Sequence, residues 1–502
     1  MGDVTPTESS RRAWAGLAVL CVVAVLASLE LTVTHLALPA IDADLRPTGT
    51  QLLWIVDVYA FLLAGSMLAL GAVGDRIGRR RLLMIGAGAY GVLSVVAAYA
   101  PTAETLIAAR ALLGVAGATL MPSTLSLTAT MFRDARQRAV AVGIVIASVS
   151  GGTAIGPLVG GALLERFWWG SVFLLGVPVM VLILVLGPVL LPEQRNTAAA
   201  RIDVVSVVLS LAAVLPLVWG LKEIAAHGVG WATGAAVAGG LVVGAVFVVR
   251  QRSLADPVVD VRLFRDPAFS VAVATLAIGI FVLWGANYYL AQYLQLVQDL
   301  SPLRAGLWTA PSAIGVIAGS LLAPRLTRRI RPGVVIGAGL TVSAAGFVLL
   351  TQLTATSGLG LLVAGSVTVS AGLGPMMALA TDQVVGATPP ERAGAAAALS
   401  SMAPQLGGAL GIAVLGSVVA AVFRGAGTGA DTLGAAVAAA EDLPAGMAET
   451  TLAAARDAFT DGIVVAATVS AVLAALLAIS VVALSVRRDT VIPTSRSRGR
   501  ST

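Results

Sequence analysis

An all-α integral membrane protein of fourteen spans, two six-helix bundles joined by two additional transmembrane helices, is the fold class the sequence predicts. Three observations predict it. Of 502 residues, 58% are hydrophobic and 12% charged, where soluble domains carry about 25% charged residues. Apolar runs long enough for the ~30 Å hydrocarbon core, about 20 residues each, recur along the whole chain. A basic segment also repeats: Asp75-Arg76-Ile77-Gly78-Arg79-Arg80 is matched weakly by Pro324-Arg325-Leu326-Thr327-Arg328-Arg329. Each copy follows the second span of a six-span half, as in transporters built from parallel repeats.

The runs fall near 14–38, 52–73, 81–100, 104–128, 138–163 and 167–190, which make a first bundle over 14–190. A pair near 203–221 and 230–249 forms the linking segment 203–250. The runs near 268–295, 304–323, 333–351, 357–380, 393–422 and 457–485 make a second bundle over 268–485. Residues 1–13 and 486–502 are then tails. An even count puts both tails on one face. With that face cytoplasmic, inside segments hold 25 of the 32 basic residues and outside segments 6, Lys222 among the latter; Arg110 falls within a span. Such a bias orients both termini toward the cytoplasm. MGDVTPTESSRR precedes a run with no small-residue cleavage site, so that run reads as a retained helix. The one long outside loop, near 423–456, is rich in Ala and Gly and reads as a small external helix or a mobile segment.

Composition also excludes. The net charge of +6 lies in short loops between apolar spans, so topology explains it and a nucleic-acid face does not. A lone Cys21 rules out an internal disulfide, and His35 and His227 without a Cys or His cluster give no metal centre. No nucleophile–base pair or phosphate loop argues for an enzyme, and no soluble output domain is expected for a sensor.

Ionisable residues within spans are costly and default to function. Glu30 stands in the run AVLASLELTVTHLALPAI (24–41), beside Thr32, Thr34 and His35. At ~1.5 Å rise per residue, Glu30, Asp57 and Arg110 lie in the outer half within roughly 5 Å of one another in depth. Arg110 needs a counter-charge, and Asp57 or Glu30 is available; a purely structural Asp57–Arg110 pair is the alternative reading for Asp57. Burial raises a carboxyl pKa and a nearby arginine lowers it, so Glu30 is the better proton carrier. His35 is either a second protonatable group or a hydrogen-bonded packing residue.

Four motifs carry a resemblance. GAVGDRIGRRR (Gly71–Arg81) resembles the cytoplasmic loop signature of the major facilitator superfamily, G-x-x-x-D-R-x-G-R-R. Arg110-Ala-Leu-Leu-Gly114 resembles its fourth-helix arginine motif, and GGTAIGPLVGG (151–161) the fifth-helix motif of exporters. LELTVTHLALP (29–39) resembles the first-helix motif of the fourteen-span drug:proton antiporters, the QacA/EmrB-like branch. LLWIVDVYAFLLAG (52–65), LPE (191–193), DVRLF (260–264) and YLQLV (293–297) are similar to the same branch.

The resemblance implies a major facilitator fold in a bacterial inner membrane. It implies a proton-coupled multidrug antiporter, expected as a monomer, with no cofactor beyond the proton gradient. Gly71, Asp75, Arg76, Gly78, Arg79 and Arg80 would form a charge-relay lock of the cytoplasmic ends. Gly152, Gly156 and Gly160 lie on one helix face and permit close helix approach, while Pro157 removes a hydrogen bond in mid-span. Spacing alone fits either tight packing or a hinge; the resemblance implies the hinge. Glu30 and His35 depart from the Asp and Asn usual in the family.

For substrate, aromatics and amides converge as candidates: Trp54, Phe61, Trp284, Asn287, Tyr288, Tyr289, Gln292 and Gln405, with Glu30 and Thr34. Aromatic faces attract cations, although Trp54 also suits an interfacial anchor. The stretches 312–320 and 398–408 hold no acid. QacA-like pumps that accept divalent cations carry further acids there, so the resemblance implies lipophilic, mainly monovalent cations as cargo, with a native metabolite or lipid as the alternative on the same fold.

Overall fold

The computed structural model describes residues 6–132, 134–193, 203–228, 230–254, 257, 261–386, 393–427 and 429–490, with some helical side chains excepted. Most of the two tails, at 1–5 and 491–502, lies outside the described residues.

The chain is all helix. In order these are α1 (Pro6–Leu45), α2 (Gly49–Ile77), α3 (Arg79–Ala98), α4 (Ala103–Gly117), α5 (Leu120–Met131) and α6 (Ala135–Leu164). Then come α7 (Ser171–Leu174), α8 (Gly176–Leu190), α9 (Val204–His227), α10 (Trp231–Ser253) and α11 (Pro267–Gln292). The chain ends with α12 (Pro302–Leu326), α13 (Pro332–Leu350), α14 (Leu359–Gly386), α15 (Ala393–Gly425), α16 (Leu433–Glu441) and α17 (Ala445–Thr490). Among the described residues, thirteen helical stretches are long and apolar enough to cross a membrane, and fourteen with the bent α6 as one span. Exposed Ile85, Val92, Leu241, Ile314 and Ile479 present the apolar surface a bilayer requires.

Local chemistry sets the helix starts. Thr48 and Gln51 form a reciprocal capping box at α2. Thr102, Asp134, Asp203, Ser301 and Thr432 cap α4, α6, α9, α12 and α16 with their side-chain oxygens. Gly78, at φ 108°, separates α2 from α3, a conformation that a side chain would strain. Pro157 has no N–H for the Thr153 carbonyl, and α6 bends by 42° between its Val140–Thr153 and Ile155–Leu164 parts.

Three expectations change in detail. The span near 104–128 is broken between α4 and α5, where the Thr119 hydroxyl bonds the Ala116 carbonyl at 2.7 Å. The span near 167–190 is divided into α7 and α8. The region 423–456 is mostly helical: α15 runs to Gly425, α16 is a Thr432-capped alanine-rich helix, and α17 starts at Ala445.

One apolar core gathers α1–α8 around Leu83, Leu113 and Ile183. Another gathers α11–α17 around Leu276, Leu340 and Leu415, and it also takes in Leu36, Leu52, Leu53 and Val56 of α1 and α2. The face opposite the helix ends that bear the termini is called the far face below. The α1 and α2 residues that join the second core lie toward it. Helices α9 and α10 pack on each other, and α9 also packs against α2 and α15.

Candidate functional site

Two buried ion pairs occupy the interior. Helix α1 carries Glu30 on a turn whose hydroxyls are satisfied locally: Thr34 bonds the Glu30 carbonyl at 2.9 Å and Thr32 the Leu29 carbonyl at 2.8 Å. Arg110 of α4 reaches across, with Nη1 donating to Glu30 Oε1 at 2.9 Å and Nε donating to the Ile55 carbonyl at 3.0 Å. Its guanidinium lies 4.3 Å from the centre of the Tyr59 ring. Arg110 is 1% exposed and Glu30 7%, so each charge relies on the other. Glu30 Oε2 has no hydrogen-bond partner among the described residues, which leaves an oxygen able to take a proton.

Of the two counter-charges the sequence offered Arg110, Glu30 is the one used. Asp57 instead lies 2.6 Å from Lys222 Nζ. Lys222 therefore does not sit in an outside loop, as its place past the run 203–221 suggested. Helix α9 continues to His227, and Lys222 is 2% exposed. Its ammonium also lies 4.3 Å from the centre of a Trp54 ring. A signal was present in the sequence: Val218 and Lys222 are one helical turn apart, hence on one face, and Val218 packs with Phe61.

Most of the substrate candidates fall in three places. A cavity of about 110 Å³ opens among α1, α6, α11, α12 and α14, lined by His35, Asn287 and Pro157 together with hydroxyls of Thr32, Thr153, Thr309, Ser312, Ser366 and Ser370. His35 is buried, its ring edge-on to Tyr288 at 6.2 Å, with Nε2 unpartnered among the described residues. Phe61 packs with Val218, Ala409 and Ala413, and Trp54 and Trp284 lie against that group. Tyr288 and Gln292 line a small pocket toward the far face with Phe423 and Phe459. Tyr289 is fully buried in the second core, Gln405 is half-buried, and Thr34 is buried against its own helix. Helix geometry causes the division, because adjacent residues on α11 diverge by about 100°. The hydroxyls of the cavity escaped the sequence reading because Ser and Thr at one-turn spacing are common in membrane helices.

The glycine face of α6 lies on α1. A methyl group at Gly152 would overlap Ser28 and the Val25 carbonyl, one at Gly156 would overlap Thr32, and one at Gly160 would stand 2.7 Å from Val33. The same helix meets α12, where Gly306 allows close approach to the Pro157 carbonyl. Toward the far face the two halves are joined. Gln295 donates to the Leu36 carbonyl at 3.1 Å, and Thr432 donates to buried Asp42 at 2.7 Å. At the other face Gly71 has no atom within 4 Å of where a side chain would begin. Arg76 is exposed, Arg79 packs on Gly74, and Arg80 bonds the Leu191 and Pro188 carbonyls at 3.1 and 3.2 Å, with Glu193 at 3.4 Å. Asp75 belongs to α2, but its side chain lies outside the described residues. No cluster of three metal-ligating side chains occurs among the described residues.

A family model described as Major Facilitator Superfamily matches residues 20–412. The chain is 42% identical over 499 residues to multidrug efflux pump LfrA of Mycolicibacterium smegmatis, covering 97% of this chain and 99% of that one. It is 32% identical over 466 residues to methyl viologen resistance protein SmvA of Salmonella typhimurium, covering 89% and 93%. Among solved structures, a bacterial homologue of the human lysosomal transporter Spinster superposes with a TM-score of 0.67 at 17% identity, over 96% of this chain and 98% of that one. At that identity the likeness concerns the fold alone.

Proposed function

Because the chain belongs to the Major Facilitator Superfamily, a family of transporters rather than enzymes, we propose that it is a multidrug efflux pump. It exchanges protons for lipophilic cations by alternating access. The single observation that carries the reading is the buried Glu30–Arg110 pair with one carboxylate oxygen unpartnered among the described residues. Likeness to LfrA and SmvA supplies the drug-export context. In this reading two six-helix bundles rock about the α1–α6 and α6–α12 contacts. Residues 14–190 and 268–485 form the bundles, and 203–250 links them. The termini are cytoplasmic in a bacterial inner membrane, and the far face is external. In the outward-facing state the charge-relay motif at residues 71–80 holds the cytoplasmic ends together.

Protonation alternates with the Arg110 interaction at Glu30. When Glu30 is charged it holds Arg110; a proton on Glu30 frees the guanidinium and biases the bundles toward the other state. His35, at the cavity wall, is the second proton candidate. The preference for monovalent cargo rests on the acid-free stretches 312–320 and 398–408. A second reading, export of a native metabolite or lipid, is favoured by the cavity lining, which mixes hydroxyls with apolar side chains such as Leu283, Leu290 and Val316 and holds no carboxylate among the described residues.

Proteoliposomes test both. An imposed pH gradient should drive ethidium movement, collapse of the gradient should stop it, and methyl viologen, a dication, should move more slowly. Ethidium movement insensitive to the gradient overturns proton coupling. A gradient-driven pump that ignores ethidium and methyl viologen alike supports the second reading.

A further inference from the structure

Lys222 is the only lysine in the chain; every other basic side chain among the 32 is arginine. It stands in the penultimate turn of α9, one of the two helices added between the bundles, and α9 wedges against α2 and α15. What surrounds its ammonium is the equipment that recognises an organic cation. A carboxylate, Asp57, lies at 2.6 Å, and an indole face, Trp54, at 4.3 Å. Asp57 is 0% exposed, and the ammonium at 2.6 Å is its counter-charge among the described residues. That compensation is a single contact with a compact charge, which another monocation can supply in its place. An arginine fork would bind the carboxylate bidentately and resist exchange; an ammonium on a flexible four-carbon stem does not.

The site also has an exit. Trp54 lines an opening of about 430 Å³ at the far face, shared with Trp219, Glu223, Arg424 and Asp431. Trp54 thus links the Asp57 site to a vestibule that holds a second indole, with Glu223 and Asp431 beside Arg424.

We propose that Asp57 and Trp54 form a binding site for a lipophilic monocation and that Lys222 is a tethered stand-in for that cation. Arriving drug displaces the ammonium from Asp57, and the returning ammonium displaces the drug toward the vestibule and bars its return. One carboxylate exchanging one charge for another keeps the buried site neutral, which a dication would not. The inference rests on the export of cations proposed above, and it gives the added helix α9 a part in transport.

Uniqueness of the lysine makes the exchange directly readable. Purified protein in detergent is treated with an amine-acetylating reagent, with and without saturating tetraphenylphosphonium, and modification of the Lys222 peptide is followed by mass. The α-amino group serves as internal control. Lys222 should be protected in the free protein and react at least several-fold faster with the cation bound. Binding of tetraphenylphosphonium, measured by equilibrium dialysis, should tighten about tenfold in Lys222→Met, about 1.4 kcal/mol. The gain should vanish in Asp57→Asn/Lys222→Met, a neutral pair that avoids an unpaired buried charge. Cation binding with unchanged Lys222 protection overturns the exchange and leaves the export reading intact. No binding of the cation at all overturns the export reading and the exchange with it.

Discussion

Breaking the Glu30–Arg110 pair from either side, and then from both, separates holding the fold from moving a proton. Arg110 has three supports: Glu30 at 2.9 Å, the Ile55 carbonyl at 3.0 Å and the Tyr59 ring at 4.3 Å. In Glu30→Gln the last two remain, and glutamine keeps an acceptor near the guanidinium, but the counter-charge is gone. Stranding one member of a buried pair costs about 3–5 kcal/mol, and the retained acceptor places this variant near about 3 kcal/mol. Arg110→Met strands Glu30 at a similar cost. The double variant is neutral and of similar volume, so it should lie within about 2 kcal/mol of the parent, a coupling of about 4 kcal/mol. Denaturant titration in micelles measures the three free energies, and gradient-driven ethidium movement in proteoliposomes measures the function. We expect all three variants to be inactive, the double variant while stably folded. Additive destabilisation would refute the mutual dependence of the two charges. A stable double variant that still couples ethidium to the proton gradient would falsify the role of Glu30.

Two further outcomes follow from the packing. Gly156→Leu forces α6 off Thr32 of α1, an overpacking of about 1–3 kcal/mol. Efflux should fall about tenfold or more while Gly234→Ala, in open space on α10, leaves efflux unchanged; equal efflux in the two rejects the α1–α6 contact as a moving surface. Asp42 lies beyond the apolar run of α1, and burial pushes its carboxyl up to about 6, partly offset by the Thr432 hydroxyl. A raised carboxyl pKa means that the docked form prefers the proton. The contact between α1 and α16 is then strongest below about pH 4 and weakens as pH rises through about 6. Amide exchange of Leu433–Glu441, corrected for its intrinsic pH dependence, should accelerate across that window. Asp42→Asn should flatten the profile, and a parent protein already flat there refutes the linkage.

Hydropathy and charge made most of the fold legible in the sequence. A chain in lipid must satisfy its backbone within helices, so apolar length alone counts the spans. The glycines of α6 and the kink at Pro157 were readable for a similar reason, since one-turn spacing fixes a helix face whatever lies opposite. Which helices meet is not a local property. Residue spacing puts Glu30, Asp57 and Arg110 at a shared depth, but depth does not fix the angle around a helix axis. Lys222 reads as a loop residue because hydropathy falls over the last two turns of α9, although its helix continues. Only the tertiary structure decided that Arg110 takes Glu30 and that a linking helix brings Asp57 its ammonium. Pairing depends on interhelical rotation and separation, which the one-dimensional pattern of apolar residues does not encode.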